Sequence, residues 1–220
     1  MEMRERAPIH VRQRYKTMLP LPQGLAVSGS RLIVSFRENP QIYTLDLSAS
    51  RFELWTVAPS PPWGLAASED RVWAVCGYGS DADRHVVEYD AAGNQRSSPT
   101  RCPDGTGSYI AFAGRDLFLS QWYEQRVFRL TDGARAFEPI FKATRGICGI
   151  AADRGTLTLL TTADEETREY HLERFDLSHR AGGCVDVATV PFRARSLAWT
   201  GSEYLTNHRE ADEIVAFSIA

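Results

Sequence analysis

Lysine is almost missing from this chain of 220 residues: Lys16 and Lys142 are the only two. The rest of the basic charge is arginine, and Lys plus Arg total 25 against 28 for Asp plus Glu, a formal net charge of −3. That balance argues against a general nucleic-acid binder, which needs a basic face for phosphates. Long apolar runs are missing too. No stretch approaches the roughly 18 residues of a membrane-spanning helix, and Met1-Glu2-Met3-Arg4-Glu5-Arg6 lacks the apolar centre of a secretion signal. Cysteine is scarce. Cys76, Cys102, Cys148 and Cys184 form no Cys-x-x-Cys pair, so they read as free thiols of a reducing cytosol, with a Cys102–Cys184 bridge left open. There is no Gly-x-Gly-x-x-Gly, no phosphate-binding loop and no Gly-x-Ser-x-Gly. These absences set aside dinucleotide redox chemistry and the common serine nucleophile, and no cofactor is implied. Helical periodicity never runs beyond two turns.

What is present is a repeat. Gln23-Gly24-Leu25-Ala26, Trp63-Gly64-Leu65-Ala66, Cys148-Gly149-Ile150-Ala151 and Arg195-Ser196-Leu197-Ala198 are variants of one element, with Ser108-Tyr109-Ile110-Ala111 as a weaker copy. Each is followed by a turn, an apolar strand, a variable loop and a second apolar strand. The spacing is roughly forty residues, the size of one four-stranded propeller blade. The sequence therefore predicts an all-β chain: one five-bladed β-propeller over 1–220, with four-stranded antiparallel blades near 24–59, 63–103, 108–142, 148–190 and 196–220. The last unit has only three strands. The strand-like segment 9–15 is expected to supply the fourth and close the ring, because an unpaired edge invites aggregation.

In such a repeat, the loop leading into each first strand and the loop leaving each second strand share one face. The lead-in ring is Gln23, Trp63, Ser108, Cys148 and Arg195; the lead-out ring is Phe36, Cys76, Gln121, Thr161 and His208; the residues after it are Arg37, Gly77, Trp122, Thr162 and Arg209. These positions diverge in chemistry while the strands stay apolar, as expected of a site grafted on a rigid scaffold. His208 is the candidate proton carrier, since imidazole titrates near neutral pH. Arg37, Trp63, Tyr109, Gln121, Trp122, Cys148, Arg195, Asn207 and Arg209 are the candidate ligand-binding residues: guanidinium groups for an anion, aromatic rings for a planar group. Arg145 and Arg193 lie near the same loops. Cys76, Cys148 and His208 form a weak soft-metal set. Asp164-Glu165-Glu166 and the Asp81/Asp83 run read as solvated faces.

Pro22-Gln23-Gly24-Leu25 with Gly29, Leu32 and Ser35, and Leu197, Gly201, Asn207, Asp212 and Ile214 near the end, resemble the opening and closing segments of the glutaminyl cyclotransferases. Those are five-bladed propellers, akin to the NHL-repeat and streptogramin-lyase types. The resemblance implies fold. The family's glutamate before the serine corresponds to Val34 here, and the histidine and metal pattern of the streptogramin lyases is not matched. Three readings stay open. The first is an acid–base enzyme of lyase, cyclase or isomerase type on a small anionic, partly aromatic metabolite. The second is a glycan- or peptide-binding propeller, and the third a protein-interaction scaffold. The expected partner is a small molecule rather than nucleic acid or membrane, and the expected compartment is the cytoplasm.

Overall fold

The computed structural model describes residues 7–79, 83–131, 136–153, 155–179 and 182–220; Asp81 and the first six residues lie outside them. Strand β1 (Ala7–Lys16) comes first. It is followed by β2 (Pro22–Ser28), β3 (Arg31–Phe36), β4 (Asn39–Asp46) and β5 (Arg51–Val57), then β6 (Pro62–Ala67), β7 (Arg71–Cys76), β8 (His85–Asp90) and β9 (Thr100–Arg101). The next are β10 (Ile110–Ala113), β11 (Asp116–Ser120), β12 (Arg126–Thr131) and β13 (Glu138–Lys142), then β14 (Gly146–Asp153), β15 (Thr156–Thr162), β16 (Tyr170–Asp176) and β17 (Val185–Val190). The last three are β18 (Ala194–Trp199), β19 (Tyr204–His208) and β20 (Glu213–Ile219). A 3-10 turn spans Pro103–Gly105, where proline presets the first φ and Asp104 turns over at φ 54°. No helix among the described residues is long and apolar enough to cross a membrane.

The protein is all-β and propeller-like. β2–β5, β6–β9 and β10–β13 are three four-stranded antiparallel meanders, and the remaining strands form one sheet in the order β14-β15-β16-β17-β1-β20-β19-β18. Within that sheet β1 runs antiparallel to β20 from Ile9↔Ile219 to Lys16↔Glu213. It meets β17 in parallel only at Ala7↔Ala188 and Pro8↔Thr189. The expected N-terminal segment is thus paired with β20.

The strands are apolar on both faces, as in Leu32-Ile33-Val34, because both faces are covered. Alternation then sends neighbours to different layers. Leu32 and Val34 pack with Leu205, Ile214 and Ala216 of β19 and β20. Ile33 packs with Leu65, Val72 and Ala74 of β6 and β7. The other three apolar clusters likewise draw on two neighbouring sets of strands. The core is therefore a series of layers between sheets. A narrow channel of about 60 Å³ runs where β2, β6, β10, β14 and β18 converge, lined by Leu25–Val27, Leu65–Ala67, Ile110–Phe112, Ile150–Ala152 and Leu197–Trp199.

The repeated glycine has a packing cause. A Cβ on Gly64 would meet the Ser108 carbonyl oxygen at 2.6 Å, and one on Gly149 would meet the Ser196 carbonyl carbon at 2.6 Å. Each glycine lets the next inner strand approach its backbone. Cys102 and Cys184 are both free thiols, in different apolar clusters.

Candidate functional site on the axial face

The ring alignment holds in the strand register for four of the five copies. Phe36 lies opposite Pro22, Cys76 opposite Pro62, Thr161 opposite Ile147 and His208 opposite Ala194. In each case the partner immediately precedes the lead-in residue. The register also shifts there, between Pro22 and Leu25, Pro62 and Gly64, Ile147 and Gly149, and Arg195 and Ala198. A bulge adds one residue to its strand and re-aims the side chain it carries. This turns Gln23, Trp63 and Cys148 out of the regular ladder, whereas Arg195 still pairs with Asn207 and the irregularity follows it. Nothing in the motif's composition announces that shift.

Alternation separates the other two rings. Successive strand residues face opposite sides. Three of the lead-out residues point between sheets: Phe36 and Cys76 into apolar clusters, and Thr161 as a hydrogen-bond donor to Glu173 Oε1 at 2.7 Å. His208 follows them. Its ring lies 4.5 Å from that of Phe192, and Arg14 Nη1 is 3.4 Å from its Nδ1. Arg37 and Arg209, one residue further, point the other way into a pocket. The structure places His208 outside the lining of that pocket.

The pocket has a volume of about 350 Å³ and is walled by Arg37, Arg193, Arg195 and Arg209 together with Glu165, Glu166, Tyr170, Glu210 and Leu21. Arg195 is its best-fixed member, at 6% exposure. Its Nη1 donates to the Tyr170 hydroxyl at 3.0 Å, to Cys148 Sγ at 3.2 Å and to its own neighbour's carbonyl, Ala194 O, at 3.2 Å. Its Nη2 pairs with Glu165. Arg193 pairs with Glu166 at 2.5 Å, and Arg37 sits beside Glu38 at 3.6 Å.

Arg209 differs. No carboxylate pairs with it among the described residues. Its Nη2 donates to Gln23 Oε1, and its buried Nε has no partner. Gln23 is a relay beneath it: its amide nitrogen donates to the Trp63 carbonyl at 3.1 Å and the Tyr109 hydroxyl at 3.2 Å, while Asn207 Nδ2 donates to the Gln23 carbonyl at 3.0 Å. Asn207 is thus a strut between the two chain ends, with its Oδ1 buried and unpartnered.

The electrostatics follow from burial. Arg209 is held below the usual arginine range, first by burial, and the like charges of Arg195 and Arg37 add to the effect against the opposing pull of Tyr109 and Glu165. Burial also works against charge on Arg195, but its acidic neighbours, Cys148, Tyr109, Tyr170 and Glu165, outweigh it and raise its pKa. Burial raises the hydroxyl pKa of Tyr109 and Tyr170 despite the adjacent guanidiniums. It pushes the Cys148 thiol up to about 12, although Arg195 pulls the other way.

The remaining candidates lie apart. Trp63 donates its indole N–H to the Gly77 carbonyl at 2.9 Å and carries Arg84 over its ring at 3.7 Å. Gln121 and Trp122 line a neighbouring pocket. Arg145 is drawn away from the face, to Glu173 at 2.5 Å. Among the described residues no three His, Cys, Asp or Glu side chains gather as a metal cluster; Cys76 and Cys148 belong to separate apolar layers. Sequence reasoning missed Tyr170; Glu165 and Glu166 are solvated, as expected, and line the pocket as well. The arginines already noted were the available signal, since buried guanidinium groups need acidic partners.

Fold and site together define an all-β, propeller-like protein with an arginine-walled pocket on its axial face. No family model matches the chain, and no curated protein does. Among solved structures it is similar to glutaminyl cyclase from Myxococcus xanthus, with a TM-score of 0.70 and 12% identity over 98% of each chain. It is also similar to a chain of the nidogen/laminin complex, with a TM-score of 0.66 and 12% identity over 89% of this chain and 74% of that one. At such identities the likeness concerns the fold alone.

Proposed function

We propose that residues 1–220 form one five-bladed β-propeller closed by β1, and that it is an enzyme acting on a small anionic metabolite in the arginine-walled pocket. On this reading β14–β17 is one blade and β18–β20 with β1 another. The two-pair contact of β1 with β17 stitches them into the single eight-stranded sheet. The five triplets lining the central channel support the count.

The observation that carries the functional reading is Arg209. It is a half-buried guanidinium without a carboxylate, with a buried, unpartnered Nε, in the wall of a pocket of metabolite size. A bound carboxylate would supply the missing partner through charge-assisted hydrogen bonds. The chemistry suited to this wall is proton transfer of lyase or cyclase type: Glu165 to take a proton, and the Tyr170 hydroxyl, kept protonated by burial, to give one. The fold of a glutaminyl cyclase is similar over the whole chain, which is consistent with an enzyme on this scaffold. Four free cysteines fit a reducing, cytoplasmic setting.

A second reading is a binding propeller for a peptide or glycan. Tyr78 and Tyr123 stand 79% and 83% exposed on loops of this face, and the nidogen/laminin likeness is consistent with it.

A thermal-shift screen of small carboxylates against wild type and Arg209→Gln tests the first reading. The expected result is stabilisation by mono- or dicarboxylates that weakens with salt, as screening over about 8 Å requires, and is lost in the variant. Stabilisation by neutral glycans or peptides alone, indifferent to Arg209, would transfer the argument to the second reading.

A further inference from the structure

The axial face has a second pocket that the arginine-centred reading leaves unused. Its volume is about 360 Å³, and its walls include Arg84, Thr106, Gly107, Gln121, Trp122 and Tyr123. It abuts the first, because Arg195, a wall of the arginine pocket, has its guanidinium carbon 5.7 Å from the Trp122 ring centre. Trp122 is therefore the partition between the two. The indole is held firmly: Gly146 passes so close that a Cβ there would lie 2.5 Å from it.

The chemistry of this second pocket is unlike that of the first. Arg84 stacks on Trp63 at 3.7 Å and lies 3.4 Å from Asp83, so its charge is already engaged. What is left is an aromatic wall, Ser108 and the exposed Glu124 carboxylate, and one buried acceptor. Gln121 is 1% exposed. Its amide nitrogen donates to the Pro103 carbonyl at 2.9 Å and the Thr106 hydroxyl at 2.7 Å. Those contacts fix the amide's orientation and leave Oε1 buried without a partner. A buried acceptor in that state costs stability unless something donates to it.

We infer that this pocket is the second compartment of the ligand site. It takes a planar ring bearing an O–H or N–H donor, whose attached carboxylate reaches Arg209 in the first compartment. The ring lies along Trp122 and the donor satisfies Gln121. The ligand class is thus a hydroxylated or N–H-bearing aryl carboxylate, and this inference rests on the anion-pocket reading.

Titration calorimetry with defined probes tests it. The probes are butyrate, 3-phenylpropionate, and a hydroxyaryl series of increasing reach: 4-hydroxybenzoate, 4-hydroxyphenylacetate and 3-(4-hydroxyphenyl)propionate. The best hydroxyaryl acid is expected to bind about tenfold tighter than butyrate or more, and tighter than its ring-only counterpart. Trp122→Ala should bring it to within about twofold of that variant's own affinity for butyrate, and Trp122→Phe should keep most of the gain. Arg209→Gln should weaken every probe. Should Trp122→Ala fail to fold, the wild-type probe series and Trp122→Phe still decide the matter. Aryl acids no tighter than butyrate, or a preference that survives Trp122→Ala, overturns the second compartment while an Arg209-dependent butyrate signal leaves the first standing. A hydroxyl without benefit overturns the role given to Gln121. Binding indifferent to Arg209 overturns the anion reading itself.

Discussion

Glu165 meets Arg195 from above: its carboxylate pairs with the Arg195 Nη2 group, and its backbone carbonyl accepts from Arg193 Nε at 3.2 Å and from the Tyr170 hydroxyl at 3.3 Å. The acidic loop is thereby tied down over the pocket, and one guanidinium that an incoming anion would use already holds a carboxylate. Glu165 is 46% exposed and Arg195 only 7% at the side chain, so water screens one partner and the pair is worth far less than a buried one, about 0.2–1 kcal/mol. Glu165→Gln should therefore raise the affinity for butyrate by about twofold to fivefold. If Glu165 also accepts the substrate's proton, turnover should fall in the same variant. Calorimetry on the two proteins checks the first part. A loss of affinity would mean that Glu165 holds Arg195 in its binding geometry rather than competing for it.

His208 should prove dispensable for binding. Its ring packs on Phe192 and neighbours Arg14, on the side of β19 away from the pocket. Burial first, and then the Arg14 charge, lower its pKa from the ordinary 6.5, while Glu213 and Glu210 oppose that shift. The sign follows from proton counting. The unfolded chain binds a proton more readily, so the contribution to stability is present above pH 6.5 and is lost as the pH falls through the lower folded-state value. His208→Gln should leave carboxylate affinity within about twofold, since no charge-assisted bond is lost. It should also flatten the decline in melting temperature between about pH 7 and pH 5. A large loss of turnover with binding intact would restore the role of proton carrier.

The strands could be read from sequence because the physics there is local and repeated. Leu32-Ile33-Val34 is apolar on both faces, and Gly64 and Gly149 recur because the neighbouring backbone leaves no room for a Cβ. The copies that break the pattern show the limit. Tyr109 stands where glycine is expected and uses its hydroxyl as an acceptor for Gln23. Ser196 occupies the same place at φ 60°, with its Oγ accepting the Leu25 amide at 3.0 Å. Arg195 and Arg209 could be named as candidates because their loops sit at fixed places in the repeat. The facing of His208 against Arg209 depends on one residue of alternation after a bulge, and a motif does not encode that. Glu165 reaches Arg195 through a loop whose path is set by tertiary contacts with Arg193 and Tyr170. Composition alone made it a solvated acid.

The N-terminal strand should be indispensable. β1 pairs with β20 along nearly its whole length, and Tyr15 is buried among Leu25, Leu205 and Ile214. Removing it would expose the β20 edge and one side of an apolar layer together. Deleting residues 1–17 should abolish cooperative unfolding or drive aggregation, as read by calorimetry and light scattering. A truncated protein with an unchanged melting curve would refute the five-bladed closure proposed here.

Stability should fall on the alkaline side for a reason the core supplies. Burial pushes the thiols of Cys76, Cys102 and Cys148 from the usual 9.0 up to about 12. Folded protein keeps these protons, whereas the unfolded chain releases them above pH 9. The unfolded state then binds fewer protons, so stability is complete below that pH and is lost as the pH rises towards 12. Each thiol contributes a slope of up to about 1.4 kcal/mol per pH unit in that window, so even one of them matters for a domain of ordinary stability. The melting temperature should hold between pH 7 and 8.5 and drop steeply towards pH 10.5, with a shallower drop in Cys148→Ala once its own cavity cost is subtracted at pH 7. The same burial makes the thiols unreactive. At pH 8 a disulfide reagent should label the native protein slowly at these three positions and quickly after unfolding, because the thiolate is the reactive form. Rapid, stoichiometric labelling of Cys148 in the native state would show that Arg195, not burial, governs that thiol. It would then make Cys148 a nucleophile to consider in the pocket.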